Sequence, residues 1–453
     1  MKKRKESESS ERVSRLKENG LKTSIKEGSF SAFSSSMGET YMTPFALALN
    51  ANTVHIGFLS AISGLISPIS QFFGNGLMER FSRKKIIRSF VFFQVIIWVL
   101  IASLSYMLMA GVPQNILLIT LIVFYSLFAM CAGFLHPSWF SWMGDLVPEN
   151  SRGKYFSRRN RIVGFFALIS AIFAAFLLDF FKTKGFVLLG FSILFVIASA
   201  ARFISFLYFK KQYAPKFKLD KNYYFSIFDF LKRFDNYGKF SVFNALFNFA
   251  LMTSSPFFAV YMLNELGFGY VTFMIVTMSS SFFYLIFTPF VGRFSDKYGN
   301  RKLFILSCFL FSLNPLLWIF IKSPVFLIFI PQVIIGLANA AMVLAVSNFT
   351  YDSTNSQHRA LCLTYTNILA GLGIFFGSIL GGLLLKNSFF GFGHSFILLF
   401  SLSAFLRFFV SLFFVPKIKE VRKVRKLPPM HITLVHPFRT LYAEIGWIKK
   451  VIK

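Results

Sequence analysis

Apolar residues run through this chain in blocks of about twenty, each bounded by a short polar or charged interruption. A helix of about 20 residues crosses the ~30 Å apolar layer of a bilayer, so each block predicts one membrane-spanning helix. The pattern predicts twelve spans: Ser29–Leu49, Val54–Asn75, Ile86–Met109, Ile116–Trp142, Ile162–Phe181, Gly185–Phe209, Val242–Leu263, Gly269–Val291, Leu303–Ile321, Val325–Asn348, Leu363–Lys386 and His394–Val415. A barrel would show short segments of alternating polarity instead of continuous apolar blocks, so that architecture is excluded. The expected fold is all-α and integral to the membrane.

Composition agrees: 55% of the 453 residues are hydrophobic, 19% aromatic and 15% charged. The formal net charge of +30 raises the possibility of a nucleic-acid partner, and the placement of charge decides against it. Of 48 Lys and Arg residues, 42 lie in or beside the two tails and the even-numbered connections. Lys182, Lys184, Lys322 and Lys386 lie on the other side, and Arg202 and Arg407 fall inside spans. Positive charge is retained on the cytoplasmic face, which places both termini in the cytoplasm of a cell-membrane protein, with basic loops against the anionic lipids of the inner leaflet. No nucleic-acid partner is needed.

Cys131, Cys308 and Cys362 have no metal-ligand spacing and read as packing residues. The charged start, residues 1–28, reads as a solvated basic tail with no cleaved signal peptide. At the other end, residues 417–453 form a second tail. There Phe438, Leu441, Ile445, Ile448 and Ile452 recur at helical spacing, as in a helix lying at the membrane surface.

The chain repeats itself. Asp145, Arg152, Asn160 and Gly164 after the fourth span align without a gap on Asp352, Arg359, Asn367 and Gly371 after the tenth. After the second span, "NGLMERFSRKK" aligns with "GRFSDKYGNRK" after the eighth, so that Glu79 meets Asp296 and Arg80 meets Lys297. The chain therefore divides into two pseudo-symmetric six-helix halves, residues 29–209 and 242–416, joined by a basic cytoplasmic linker, 210–241. Such repeats are a common construction of secondary transporters, with the binding site at the repeat interface near the midplane.

Gly292, Asp296, Lys297, Gly299, Arg301 and Lys302 resemble the G-x-x-x-D-[RK]-x-G-x-[RK]-[RK] signature of the major facilitator superfamily. The first-half copy departs from it, with Asn75, Glu79 and Ser82 where Gly, Asp and Gly are usual. In that family the acid of the motif caps a helix that begins in the opposite half. The resemblance therefore implies that Asp296 faces the start of the fifth span and Glu79 the start of the eleventh, forming a cytoplasmic latch that favours the outward-open state. Arg80, Lys297 and Arg301, and the repeated Asp145, Arg152, Asp352 and Arg359, belong to the same layer. The resemblance also implies that spans 1, 4, 7 and 10 line a central cavity.

Charged groups inside spans are costly and mark candidate sites. Glu39, ten residues into the first span, lies roughly 15 Å deep at 1.5 Å per residue. Ser31, Ser35, Ser36 and Thr43 continue one polar stripe beside it. Desolvation there favours the neutral acid, which suits either a proton carrier or a carboxyl bonded to another helix. His136 in "FLHPSW", at similar depth on the fourth span, fits proton exchange or interhelical bonding. Asn244 and Asn248 on the seventh span, and Gln332 and Asn339 on the tenth, offer neutral hydrogen bonds to a ligand or to neighbouring helices. Arg202 and Arg407 stand within about two turns of the cytoplasmic helix ends and read as snorkelling or bracing residues.

One Glu and one His at depth are too few for a membrane-embedded enzyme, and no G-x-x-x-x-G-K-[ST] loop supplies ATP chemistry. The sequence thus predicts a monomeric transporter of a small solute, driven by protons, needing no cofactor. A facilitative uniporter and a non-transporting sensor of the same fold are the alternatives.

Overall fold

The computed structural model describes residues 2–148, 152–215, 226–232, 235–354, 359–386, 392–421 and 424. The described residues form helices joined by short turns, and eleven helical segments are long and apolar enough to cross a membrane. The first half contains α1 (Lys2–Met37), α2 (Met42–Ala48), α3 (Thr53–Arg80), α4 (Arg83–Met109), α5 (Gln114–Leu146), α6 (Arg152–Thr183) and α7 (Val187–Lys211). The linker carries α8 (Ile227–Leu231). The second half contains α9 (Asn236–Met252), α10 (Phe257–Val260), α11 (Tyr270–Tyr298), α12 (Asn300–Phe320), α13 (Pro324–Phe329), α14 (Pro331–Ser353), α15 (Arg359–Lys386) and α16 (Phe392–Phe414). With the first span, made of the end of α1 and of α2, they complete the twelve.

The opening span of each half is broken. α1 stops at Met37, a 3-10 turn covers Glu39–Tyr41, and α2 resumes at Met42. Pro44 has no N–H to return to the carbonyl of Thr40, which favours a break one turn earlier. In the second half α9 stops at Met252, α10 resumes at Phe257, and Pro256 plays the same part toward Met252. Broken helices survive at membrane depth where the freed backbone is buried in protein or lines a cavity.

Contacts divide the chain into two units, Met1–Tyr223 with Met252–Met274 and Asn367–Ser395, and Tyr224–Leu251 with Ile275–Thr366 and Phe396–Lys453. In the first, α3 packs on α5, α4 on α5 and α7, and α1 on α6 and α7. Its core is aromatic: the buried Trp98 ring lies 4.7 Å from Phe128 and stacks on Phe195 at 5.6 Å. In the second, α12 packs on α14, and Phe240 meets Phe304 at 5.6 Å and Phe349 at 5.0 Å.

The N-terminal segment differs from the expected solvated tail. It is helical, and from Gly20 onward it is packed, with Ser24 and Glu27 buried. Gly20, Ser24 and Gly28 form a small-residue stripe that admits close neighbours, and Tyr155 donates to the carbonyl of Leu21 at 3.1 Å. The surface helix expected near Phe438 lies outside the described residues.

Candidate functional site

The i, i+4 spacing of Glu27, Ser31, Ser35 and Glu39 puts a polar line along one face of the first span. The break after Met37 sets Glu39 at its end. Gly38 is needed there because a Cβ would sit 2.2 Å from the Trp98 ring. Tyr41 completes the turn, buried, its hydroxyl donating to the carbonyl of Ala171 on α6 at 2.6 Å.

In the first unit this line borders a cavity of about 220 Å³. Glu39, Ser34 and Ser35 line it from the first span, Gln94 from α4, Phe128, His136 and Trp139 from α5, and Arg202 from α7. Ser35 stands one turn before Glu39 on the same wall, and Arg202 borders the same cavity. Arg202 does not snorkel to the membrane surface. Its Nε donates to Gln94 Oε1 at 2.9 Å, a second guanidinium nitrogen reaches the same oxygen, and a third reaches Ser31. Gln94 is held in turn through its Nε2, which donates to the Phe128 carbonyl at 3.3 Å.

One turn before Ser31 on α1, Glu27 accepts from Ser205 at 2.9 Å and lies 3.6 Å from the Arg159 guanidinium, which stands 4.8 Å over the Trp139 ring. Two acids and two bases therefore balance within the unit's polar interior. An arginine at bilayer depth is tolerated when partnered in this way. Arg407 is likewise buried rather than snorkelling, donating to the carbonyls of Phe311 at 2.8 Å and Leu251 at 3.1 Å.

His136 reaches the cavity with its ring stacked on Phe140, and its Nδ1 lies 3.2 Å from Gln71 Nε2. Gln71 Oε1 accepts from Asn367 Nδ2 at 3.2 Å, so one amide joins α5 and α15 through α3. Asn244 and Asn248 bond to each other, Asn248 Nδ2 donating to the Asn244 carbonyl at 2.8 Å. Gln332 is buried and Asn339 half-buried on α14 in the second unit. Of the cavity candidates, then, Glu39 and His136 share a chamber, together with Arg202, which the sequence reads as snorkelling or bracing, and Gln94, which it does not single out. Glu27 was missed because it precedes the apolar block, and Gln94 because a lone amide inside "FFQVII" carries no periodic signal.

At the ends of the spans that carry the basic loops, Asp145 pairs with Arg83 at 2.7 Å. Asp352 accepts from Asn300 at 3.2 Å. Glu79 and Arg80 are exposed at the end of α3, and Asp296 is exposed near the end of α11. Lys297 lies 5.4 Å from the centroid of the Tyr298 ring. Gly299 turns the chain with φ +92°, and the backbone N–H of Arg301 donates to Glu420 at 2.8 Å. The side chains of Arg152 and Arg359 lie outside the described residues.

The model of the Major Facilitator Superfamily matches residues 28–228 and 240–447. A stretch of 100 residues is 31% identical to tetracycline resistance protein class H of Pasteurella multocida, covering 22% of this chain and 24% of that protein. A stretch of 98 residues is 29% identical to multidrug resistance protein 2 of Bacillus subtilis (strain 168), with the same coverage. The alignments thus span about a quarter of these relatives. Among solved structures, the nucleoside transporter NupG matches with a TM-score of 0.64 at 15% identity, over 89% of this chain and 100% of its own. A D-xylose-proton symporter matches with a TM-score of 0.64 at 16% identity, over 90% and 99%. At such identities these neighbours establish the shared fold.

Proposed function

Because the chain belongs to the Major Facilitator Superfamily, we propose that this multi-pass membrane transporter moves a small solute by alternating access, with a proton carried on Glu39. The observation that carries this reading is the position of Glu39 at a helix break on a chamber that also holds Arg202. Ionised, Glu39 balances the arginine; protonated, it leaves a fixed positive charge at the chamber wall. Taking up a proton therefore changes the charge a solute meets, which is the requirement for coupling the two. His136 lies on the same chamber and offers a second proton site or a neutral hydrogen bond.

The moving bodies are residues 29–209 and 242–416, with the 210–241 linker and both termini in the cytoplasm of a cell-membrane protein. Asn244, Asn248, Gln332 and Asn339 supply neutral contacts to the solute from the second half. Glu79, Arg80, Asp145, Arg152, Asp296, Lys297, Arg301, Asp352 and Arg359 form the inner latch, and the basic loops rest on anionic lipid. The protein acts as a monomer. Two partial relatives are named for drug resistance, which favours export of a foreign compound.

The test is reconstitution. Ligands are first found by the rise in melting temperature that binding to the folded state produces, screening sugars, nucleosides, amino acids and cationic drugs including tetracycline. The best ligand is then followed in proteoliposomes. Accumulation under an imposed pH gradient that vanishes when an ionophore collapses the gradient is expected. Equilibration alone, with or without the gradient, would identify a uniporter, and binding without flux a sensor.

A further inference from the structure

Asp179 lies four residues before the end of α6, inside the apolar run "FLLDFF". Its two carboxylate oxygens each accept a hydrogen bond from the backbone, one from Tyr270 N–H at 2.8 Å and one from Val271 N–H at 2.9 Å. These are the first two residues of α11. A helix leaves its first four amides without partners of its own and carries the positive end of its dipole there, so one carboxylate answers both needs. Gly269 permits the approach, since a Cβ on it would lie 3.2 Å from Oδ2. Tyr270 is buried beside the cap, its ring meeting Phe191 edge-on and lying 5.4 Å from the Lys182 ammonium. All of these residues belong to the first structural unit.

By sequence, α6 belongs to the first six-helix half and α11 to the second. The bonds therefore tie the halves together, at the end of the spans remote from the basic loops. In an alternating-access carrier, a contact between the halves on one face exists in only one of the two states. A Ser or Asn would cap a permanently docked helix without placing a charge there. A carboxylate suits reversible docking better: it is well solvated when the face opens and doubly bonded when it closes. We propose that Asp179 is the latch of the outer gate, holding α11 to α6 while the cavity faces inward, and that opening outward breaks both bonds. The turn bearing Glu39 is fastened to the same helix, through Tyr41 to Ala171, two turns before Asp179. The proposal rests on alternating access and is independent of which group carries the proton.

The test uses the full chain in lipid nanodiscs, with Cys131, Cys308 and Cys362 replaced by alanine and spin labels at Asn115 and Asn264, both exposed at the remote end. Two variants attack the bonds from opposite sides. Asp179→Asn keeps the shape of the acid and removes its charge. Val271→Pro keeps the acid and removes one donor, at a first-turn position where proline is tolerated. Lys184→Gln removes an exposed charge from the same end without touching the cap. The ratio of long to short inter-label distances should rise about tenfold in Asp179→Asn, the effect of losing a charge-assisted hydrogen bond. It should also rise in Val271→Pro and stay at the wild-type value in Lys184→Gln. Should Asp179→Asn fail to fold, Val271→Pro decides alone. Two wild-type populations whose ratio is unchanged in Val271→Pro would overturn the latch. A single population in every variant would overturn the alternating-access reading beneath it.

Discussion

Arg83 and Asp145 form an ion pair at 2.7 Å between the first residue of α4 and the end of α5. The repeat reproduces the arrangement: Asn300, the first residue of α12 and the counterpart of Arg83, donates to Asp352, the counterpart of Asp145. Each acid is thus tied first to its own half, where it fastens the turn between two spans. The Arg83 side chain is 3% exposed, and it also donates to Ser141 at 3.0 Å and to the Pro215 carbonyl at 3.2 Å.

Arg83→Gln should therefore destabilise the protein more than Asp145→Asn. The first change removes a buried fork of bonds, worth roughly 2–3 kcal/mol, whereas the second weakens one bond to a half-exposed acid, worth about 1 kcal/mol or less. Melting of the detergent-solubilised variants measures the order. A reversed order would mean that the acid, not the arginine, anchors this layer.

Glu39→Gln should abolish proton-driven accumulation of the identified ligand while leaving exchange of labelled for unlabelled ligand largely intact, since exchange need not release the proton. Proteoliposome flux with and without a pH gradient separates the two. Full accumulation by the variant would move the proton elsewhere on the chamber, with His136→Gln the next measurement.

Gly38→Ala should lower stability by about 1–3 kcal/mol, the ordinary range for overpacking a core, because the new methyl overlaps the Trp98 ring. Trp98→Leu in the same molecule should recover part of the loss by vacating that volume. A double-mutant cycle with no coupling between the two sites would show that the turn relaxes without the ring.

The fold was legible in the sequence because bilayer thickness imposes one length on every span and the positive-inside bias imposes one sign on alternate loops. The repeat was legible because its matching residues, Asp145 with Asp352 and Glu79 with Asp296, sit in polar stretches where coincidence stands out. The site was legible only in part. Glu39 is conspicuous as an acid within an apolar block, and the serines four apart reveal its face. Arg202 could be read as snorkelling because depth along a helix does not reveal which way a side chain points; its partners, Gln94 and Ser31, come from other spans. Asp179 lies two residues inside the end of the predicted fifth span, and only its pairing with the start of α11 marks it out.

Cysteines introduced singly at Asn115 and Lys184 should react with an impermeant thiol reagent added to intact cells, and one at Ser226 should not. The structure guides the choice. Asn115 and Lys184 are exposed, whereas the nearby Asn52 caps α3 by accepting from the His55 amide, and Gly267 holds φ +64°. Labelling at Ser226 with protection at the other two would invert the orientation read from the charge bias.

Asp296 and Asp179 should act in opposite directions, because the proposed latches lie on opposite faces. Asp296→Asn removes a contact expected only when the cytoplasmic side is closed. It should raise the inward-open population by up to about tenfold for a loss near 1.4 kcal/mol. Asp179→Asn should raise the outward-open population instead. The two acids act at opposite ends of α11, so their effects should add in free energy, and the double variant should return close to the wild-type balance while interconverting faster. Spin labels at Ser151 and Ser356 report the inner face, and those at Asn115 and Asn264 the outer. A double variant that stays as inward-open as Asp296→Asn alone would leave the outer bonds without influence on the cycle. One that stays as outward-open as Asp179→Asn alone would reduce "GRFSDKYGNRK" to a charged turn held by Gly299 at the membrane surface.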